Sequence, residues 1–228
     1  MINVFQFKMI LQHWNKLLTT ECKAIRIPWP TKVTADGTQL TDDGFVIYPI
    51  FKNGRTSLYH YGLEKQAETF INEQLKNLKH IHVFLREPDE RFISGVNTYI
   101  EFNQFKFEDY WRNYGSQEDT ILKQIEEMKI CDRHFVPQYF WLLHLSKYFK
   151  GLVRLATIKE LRLTISTKDE PVQPNDTEIP HVTKKRKEKI KKINFKNYVD
   201  IDKKIIKKYI NKTVVLENLI KEFHNVLP

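Results

Sequence analysis

The stretch "FVIYPIFKNGRTSLYHYG", residues 45 to 62, changes character in its middle. Phe45 to Phe51 is a short apolar run, rich in β-branched and aromatic residues and ended by Lys52-Asn53-Gly54, and it reads as a buried strand. Thr56 and Ser57 then stand where a helix would begin, because short hydroxyl side chains accept hydrogen bonds from first-turn N–H groups. "HIHVFLR", residues 80 to 86, is strand-like again, and Pro88 falls at the first-turn position that proline tolerates. Strand, loop, helix, strand, loop, helix within about sixty residues predicts two parallel strands with a right-handed crossover. Both loops would then meet at one carboxyl edge, where open α/β sheets bind ligands.

Outward from this unit the signals weaken. After Thr56 the apolar positions Leu63, Ala67, Phe70, Ile71, Leu75 and Leu78 keep helical spacing. Residues 4 to 18 read as an amphipathic helix, and Pro28, Pro30, Gly37 and Gly44 mark irregular chain. Helical pattern returns over 118 to 130, "CDRHFVPQYFWLLHLSKYF" (131–149) is a turn before an apolar helix, and "GLVRLATI" (151–158) is a strand. Residues 166 to 183 are proline-rich and polar, and "DIDKKIIKKYI" and "VVLENLIKEF" read as two amphipathic helices. The expected layout is one domain over 1–228. It comprises an N-terminal extension (1–44), a cofactor-binding core (45–165), a mobile basic loop (166–192) and C-terminal helices (193–228).

Composition narrows the class. Hydrophobic residues make up 41% and aromatics 13% of the 228 residues, enough for a real core. No apolar run reaches the roughly 18 residues of a membrane-spanning helix, and charges interrupt "MINVFQFKMILQHWNKLL", unlike a signal peptide. Cys22 and Cys131 stand apart, outside any CxxC pair, which fits a reduced, cytoplasmic protein without structural zinc. The net charge of +9 is local: residues 184 to 212 hold 13 Lys/Arg against 3 Asp/Glu, while the rest holds 24 against 25. That distribution argues against nucleic acid as a partner of the whole surface, and no membrane partner is expected.

The two loops carry the chemistry. Lys52, Asn53, Gly54, Arg55, Thr56 and Ser57 offer cations, hydroxyls and backbone N–H groups at a helix N-terminus, an arrangement that suits phosphate. The order is not that of a Walker A loop, in which the lysine follows the second glycine. An ordinary helix cap would show the same Gly-Thr pattern. In "FLREPDERFISG" (84–95), Arg86 ends a strand and Ser94 lies about two turns into the next helix. An arginine fork and a hydroxyl can share a phosphate, although Arg86 could instead pair with Glu87 or Glu90.

"VFLREPDERFISG" resembles the 3′-phosphate motif of sulfotransferases that use 3′-phosphoadenosine-5′-phosphosulfate (PAPS), which runs Arg-Asp-Pro-x-x-Arg-x-x-Ser after a strand. "PIFKNGRTSL" resembles the same family's 5′-phosphosulfate loop, and "DRHFVPQYF" (132–140) resembles the His-x-x-Pro-Gln segment of its Golgi-type carbohydrate sulfotransferases; the whole is similar to the carbohydrate and heparan sulfate enzymes of the family. The resemblance covers residues 45 to 160. It implies an α/β, P-loop-like three-layer fold with a central, mainly parallel sheet flanked by helices. It also implies transfer of a sulfuryl group from PAPS, without a metal, to a hydroxyl acceptor on a carbohydrate. Lys52 would contact the leaving phosphate and sulfuryl group, Thr56 and Ser57 the 5′-phosphate, and Arg86 and Ser94 the 3′-phosphate. Asn53, Gly54 and Arg55 would complete the first loop, and Lys184, Lys185 and Arg186 of the late basic segment would close over the nucleotide. Arg55, Glu87 and the Ile50-Phe51 pair depart from the family pattern.

A general base is also needed. His60, one turn after Thr56, and His134, in the His-x-x-Pro-Gln segment, are level candidates, with Glu101 and Asp109 as carboxylate alternatives; His82 reads as structural. Seven aromatics over 99 to 114 could line an acceptor groove or simply fill the core. Two other functions fit parts of the chain. One is a phosphoryl transferase on a P-loop-like fold, which lacks its Walker lysine and an acidic Mg²⁺ ligand. The other is a nucleic-acid-binding protein using residues 184 to 212.

Overall fold

A computed structural model of the chain describes residues 21–27, 45–50, 52–53, 68–104, 117–160 and 184–224. Six strands form one open sheet: β1 (Lys23–Ile27), β2 (Phe45–Ile47), β3 (Thr69–Ile71), β4 (His80–Leu85), β5 (Leu152–Thr157) and β6 (Thr213–Val215). Their order is β3-β1-β2-β4-β5-β6. The centre, β2-β4-β5, is parallel, in register from Ile47 opposite His82 to His82 opposite Arg154. Antiparallel strands extend it on both sides, β1 and β3 beyond β2, and β6 beyond β5. The sheet is therefore mixed, with the expected parallel pair at its heart.

Strand alternation sorts two faces. Ile81, Val83 and Leu85 of β4 and Val153 and Leu155 of β5 point into the main core. There they meet helix α1 (Pro88–Gln104) through Phe92, Val96 and Ile100, spaced at i, i+4 and i+8. Helix α3 (Gln138–Leu145) adds Tyr139, Leu142 and Leu145 to the same core. The remaining helices are α2 (Gln117–Glu126), α4 (Lys184–Lys192), α5 (Lys196–Tyr209) and α6 (Leu216–His224). Helices α2, α4 and α5 pack along α1, and α5 and α6 pack on α3.

Gly95 sets how closely the 131–137 turn approaches α1. A Cβ there would stand 2.2 Å from the His134 carbonyl oxygen, a backbone atom that cannot step aside. Opposite, Phe135 sits edge-on to Phe92 and Tyr99.

Four expectations need correction. The helical pattern after Thr56 does not run through to Leu78: Thr69–Ile71 is a strand on β1, and Asn72–Asn77 is a 3-10 helix. Thr-Phe-Ile favours a pleated strand, and β1 offers an open edge, so pairing overrides a period that two turns could mimic. The N-terminal extension supplies a strand that the sequence pattern does not assign, since Lys23–Ile27 lies between β3 and β2. Residues 184 to 192, assigned to a mobile loop, form a helix anchored on α1. Val214 and Val215, read as the start of a helix, belong to an edge strand, Thr213–Val215, that pairs with β5 before α6 begins. The amphipathic segment 4–18 and the proline-rich stretch 166–183 lie outside the described residues.

Candidate functional site

The carboxyl ends of β2 and β4 hold the site, and one side chain joins them. Gln138, the first residue of α3, accepts at Oε1 from Asn53 Nδ2 (2.6 Å) and from the Arg86 backbone N–H (3.0 Å), and donates from Nε2 to the Arg86 carbonyl (2.9 Å). Asn53 Nδ2 also donates to the Phe84 carbonyl at 2.8 Å. The turn after β2 and the turn after β4 are thereby tied to each other and to a helix N-terminus. Asn53, expected at the phosphate, is 1% exposed, and its side-chain amide positions the loop.

This tie brings the predicted cations together. Arg86 Nη1 donates to the Lys52 carbonyl at 3.4 Å, and Glu90 lies 3.8 Å from Arg86 Nε. Lys52 has φ 66°, in the left-handed region that costs a non-glycine residue roughly 1 kcal/mol. Burial, and then the nearby Arg86 and Arg91, push the Lys52 ammonium below its ordinary pKa. Such strain and depression are found where a structure holds like charges together for a counter-ion.

Arg91 completes the cluster. It is 2% exposed, and Nη1 donates to the Val136 carbonyl. Burial lowers its guanidinium to about 10, with Asp202 opposing and Arg86 adding to the shift. Asp202, on α5, accepts the N–H groups of Gln138 (2.6 Å) and Tyr139 (2.9 Å), capping α3 from a distant helix. Burial pushes its carboxyl up to about 6, against those two N–H groups and Arg91. Lys52, Arg86 and Arg91 thus lie together, with Asp202 near Arg91 on the inside, and Arg86 also meets the exposed Glu90. Three cations gathered at the sheet edge can hold a multiply charged anion.

The other predicted residues scatter. Ser94 is half-buried in the second turn of α1. Arg186 does not face the N-terminus of α1; it is bound by Glu101, by Glu118 (3.1 Å) and by Asn97 (3.0 Å) farther along that helix. Glu101 is therefore an ion-pair partner rather than an open base. Lys185 is exposed on α4. His134 lies beside Gly95 and Phe102, toward the far end of α1, with Nδ1 2.5 Å from Asp132 Oδ1. Tyr99 joins the core and Phe102 is 63% exposed. Gly54, Arg55, Thr56, Ser57, His60 and Asp109 lie outside the described residues.

Sequence reasoning passed over Arg91, Gln138 and Asp202. Arg91 and Gln138 had a signal, since they occupy the second arginine of the Arg-x-Pro-x-x-Arg run and the glutamine of His-x-x-Pro-Gln. Asp202 had none, because its role depends on α5 crossing α3. Among the described residues no group of acids, histidines and cysteines is arranged to hold a metal ion, and no helix is long and apolar enough to cross a membrane. Comparison with protein-family models, with characterised proteins and with solved structures returns no match for this chain.

Proposed function

We propose that this chain is a sulfotransferase that moves the sulfuryl group of PAPS to a hydroxyl acceptor, on a P-loop-like three-layer fold. The observation that supports it most is the Arg86–Lys52 contact, which joins the two motif loops at adjacent parallel strand ends. Lys52 would stabilise charge building on the leaving phosphate, and Arg86 would take the 3′-phosphate as a fork. Arg91, buried behind them, would raise the local potential without touching the nucleotide. The residues suit a nucleotide with two anionic ends, because the cluster gathers three cations that are partly or fully desolvated. The co-substrate supplies the sulfuryl group, and the protein supplies position and charge. The carbohydrate acceptor rests on the His-x-x-Pro-Gln resemblance alone.

The test is calorimetric titration with 3′-phosphoadenosine-5′-phosphate against AMP. Micromolar binding that requires the 3′-phosphate and disappears in Arg86→Ala supports the reading. Equal binding of AMP, or none of either nucleotide, overturns it.

A further inference from the structure

The basic segment is a second, separate feature. Helix α4 turns its inner face to α1 and α2: Ile190 is buried, Arg186 is held by Glu101 and Glu118, and Lys189 Nζ reaches Asp119 at 2.9 Å. Helix α5 buries Tyr198, Val199, Ile201 and Ile205. Three residues separate the two helices. Their outer faces expose ten lysines against Glu188 and Asp200. Three of the ten have partners: Lys191 with Glu188, Lys203 with Asp89 and Lys208 with Glu222. The other seven have no ion pair among the described residues. At 100° per residue, Lys196, Lys203 and Lys207 fall on one stripe about 16 Å long.

We propose that this lysine face binds duplex nucleic acid through its phosphate backbone, without reading sequence. The side-chain inventory points to that partner. Lysine is a point charge suited to phosphate; it can also contact guanine, but the planar forks that read base edges bidentately belong to arginine, asparagine and glutamine, and the one arginine of these helices faces inward. Single strands are held by exposed aromatics, and the large exposed hydrophobics among the described residues (Ile71, Phe102, Leu152 and Val215) all lie elsewhere. A membrane-surface helix presents apolar residues to lipid, whereas the apolar faces of α4 and α5 are in the core. The anchored inner faces hold the lysines on rigid elements, so little order is lost on binding. The face is distinct from the Lys52–Arg86 site and does not depend on its assignment.

Fluorescence anisotropy with two labelled duplexes of unrelated sequence tests this. The full chain binds both with equal affinity, and the log–log salt slope is about −4 or steeper. A variant carrying Lys187→Gln, Lys192→Gln, Lys204→Gln and Lys207→Gln melts like the parent yet has a slope shallower by about 3.6, each lost phosphate contact removing about 0.9. A control with Lys123→Gln and Lys147→Gln keeps the parent slope. Absence of duplex binding at low salt, or unchanged binding by the quadruple variant, overturns the proposal. So does displacement of the duplex by a sulfated oligosaccharide or by phosphatidylserine vesicles at lower charge concentration, since the face would then belong to another polyanion.

Discussion

Two regions of this molecule are positively charged, and they are built in opposite ways. At the carboxyl edge of the parallel strands, Lys52, Arg86 and Arg91 are half or fully buried and fixed by Asn53, Gln138 and Asp202. On α4 and α5, ten lysines stand in solvent with two acids among them. The first region dominates no charge count, because it lies in a part of the chain that is nearly neutral. It concentrates charge by desolvation and fixed geometry, so its effect should be little screened by salt. The second supplies most of the net charge, and its attraction should fade within a Debye length and with ionic strength. Location, more than number, decides what a cation can select.

The comparison breaks first if the buried network is not what holds the edge. Asp202→Ala removes the acceptor for two helix N–H groups and a negative charge that opposes buried Arg91. The expected loss is about 3 kcal/mol of stability in urea unfolding; a change below about 1 kcal/mol would assign Asp202 no structural part. Its titration gives a second reading. The folded-state pKa of Asp202 is raised from 3.8 to about 6, so protonation favours the native state. This contribution is full below about pH 4 and is lost as pH rises through about 6. Asp202→Asn, which cannot ionise, should remove that part of the pH dependence while retaining an oxygen to cap α3.

Lys52→Gly separates strain from binding. Glycine accepts φ 66° freely, so stability should rise by up to about 1 kcal/mol while affinity for 3′-phosphoadenosine-5′-phosphate falls at least about tenfold. Loss of stability on this change would mean that the turn depends on the Lys52 side chain. Glu90→Gln is the mildest probe. Glu90 is 67% exposed and 3.8 Å from Arg86 Nε, so removing its charge should tighten nucleotide binding by about twofold. Weaker binding would show that Glu90 orients Arg86 instead of competing for it.

The sequence exposes the parts whose causes are local. Phe45–Ile47, His80–Leu85 and Leu152–Thr157 are apolar runs ended by breaks, and Pro88 marks the start of α1. The adjacency of the Lys52 and Arg86 turns follows from β2 and β4 pairing in parallel, although β3 lies between them in the chain. What stayed hidden depends on contacts between distant segments. Thr69–Ile71 has the period of a helix and becomes a strand only because β1 stands beside it. Asn53 and Gln138 meet across 85 positions, and Gln138 and Asp202 across 64. The α4 segment reads as a solvated charge run, yet Arg186, Lys189 and Ile190 at i, i+3 and i+4 mark the inward face.

The most direct measurement places the two cationic regions side by side. Calorimetry with 3′-phosphoadenosine-5′-phosphate is run on the parent, on Arg86→Ala and on the quadruple lysine-to-glutamine variant, at low and at physiological salt. The account predicts a loss of about 100-fold, or about 2.7 kcal/mol, in Arg86→Ala, and affinity within about twofold of the parent in the lysine variant at both salts. Nucleotide binding that survives in Arg86→Ala, or that falls with the lysines, would contradict it.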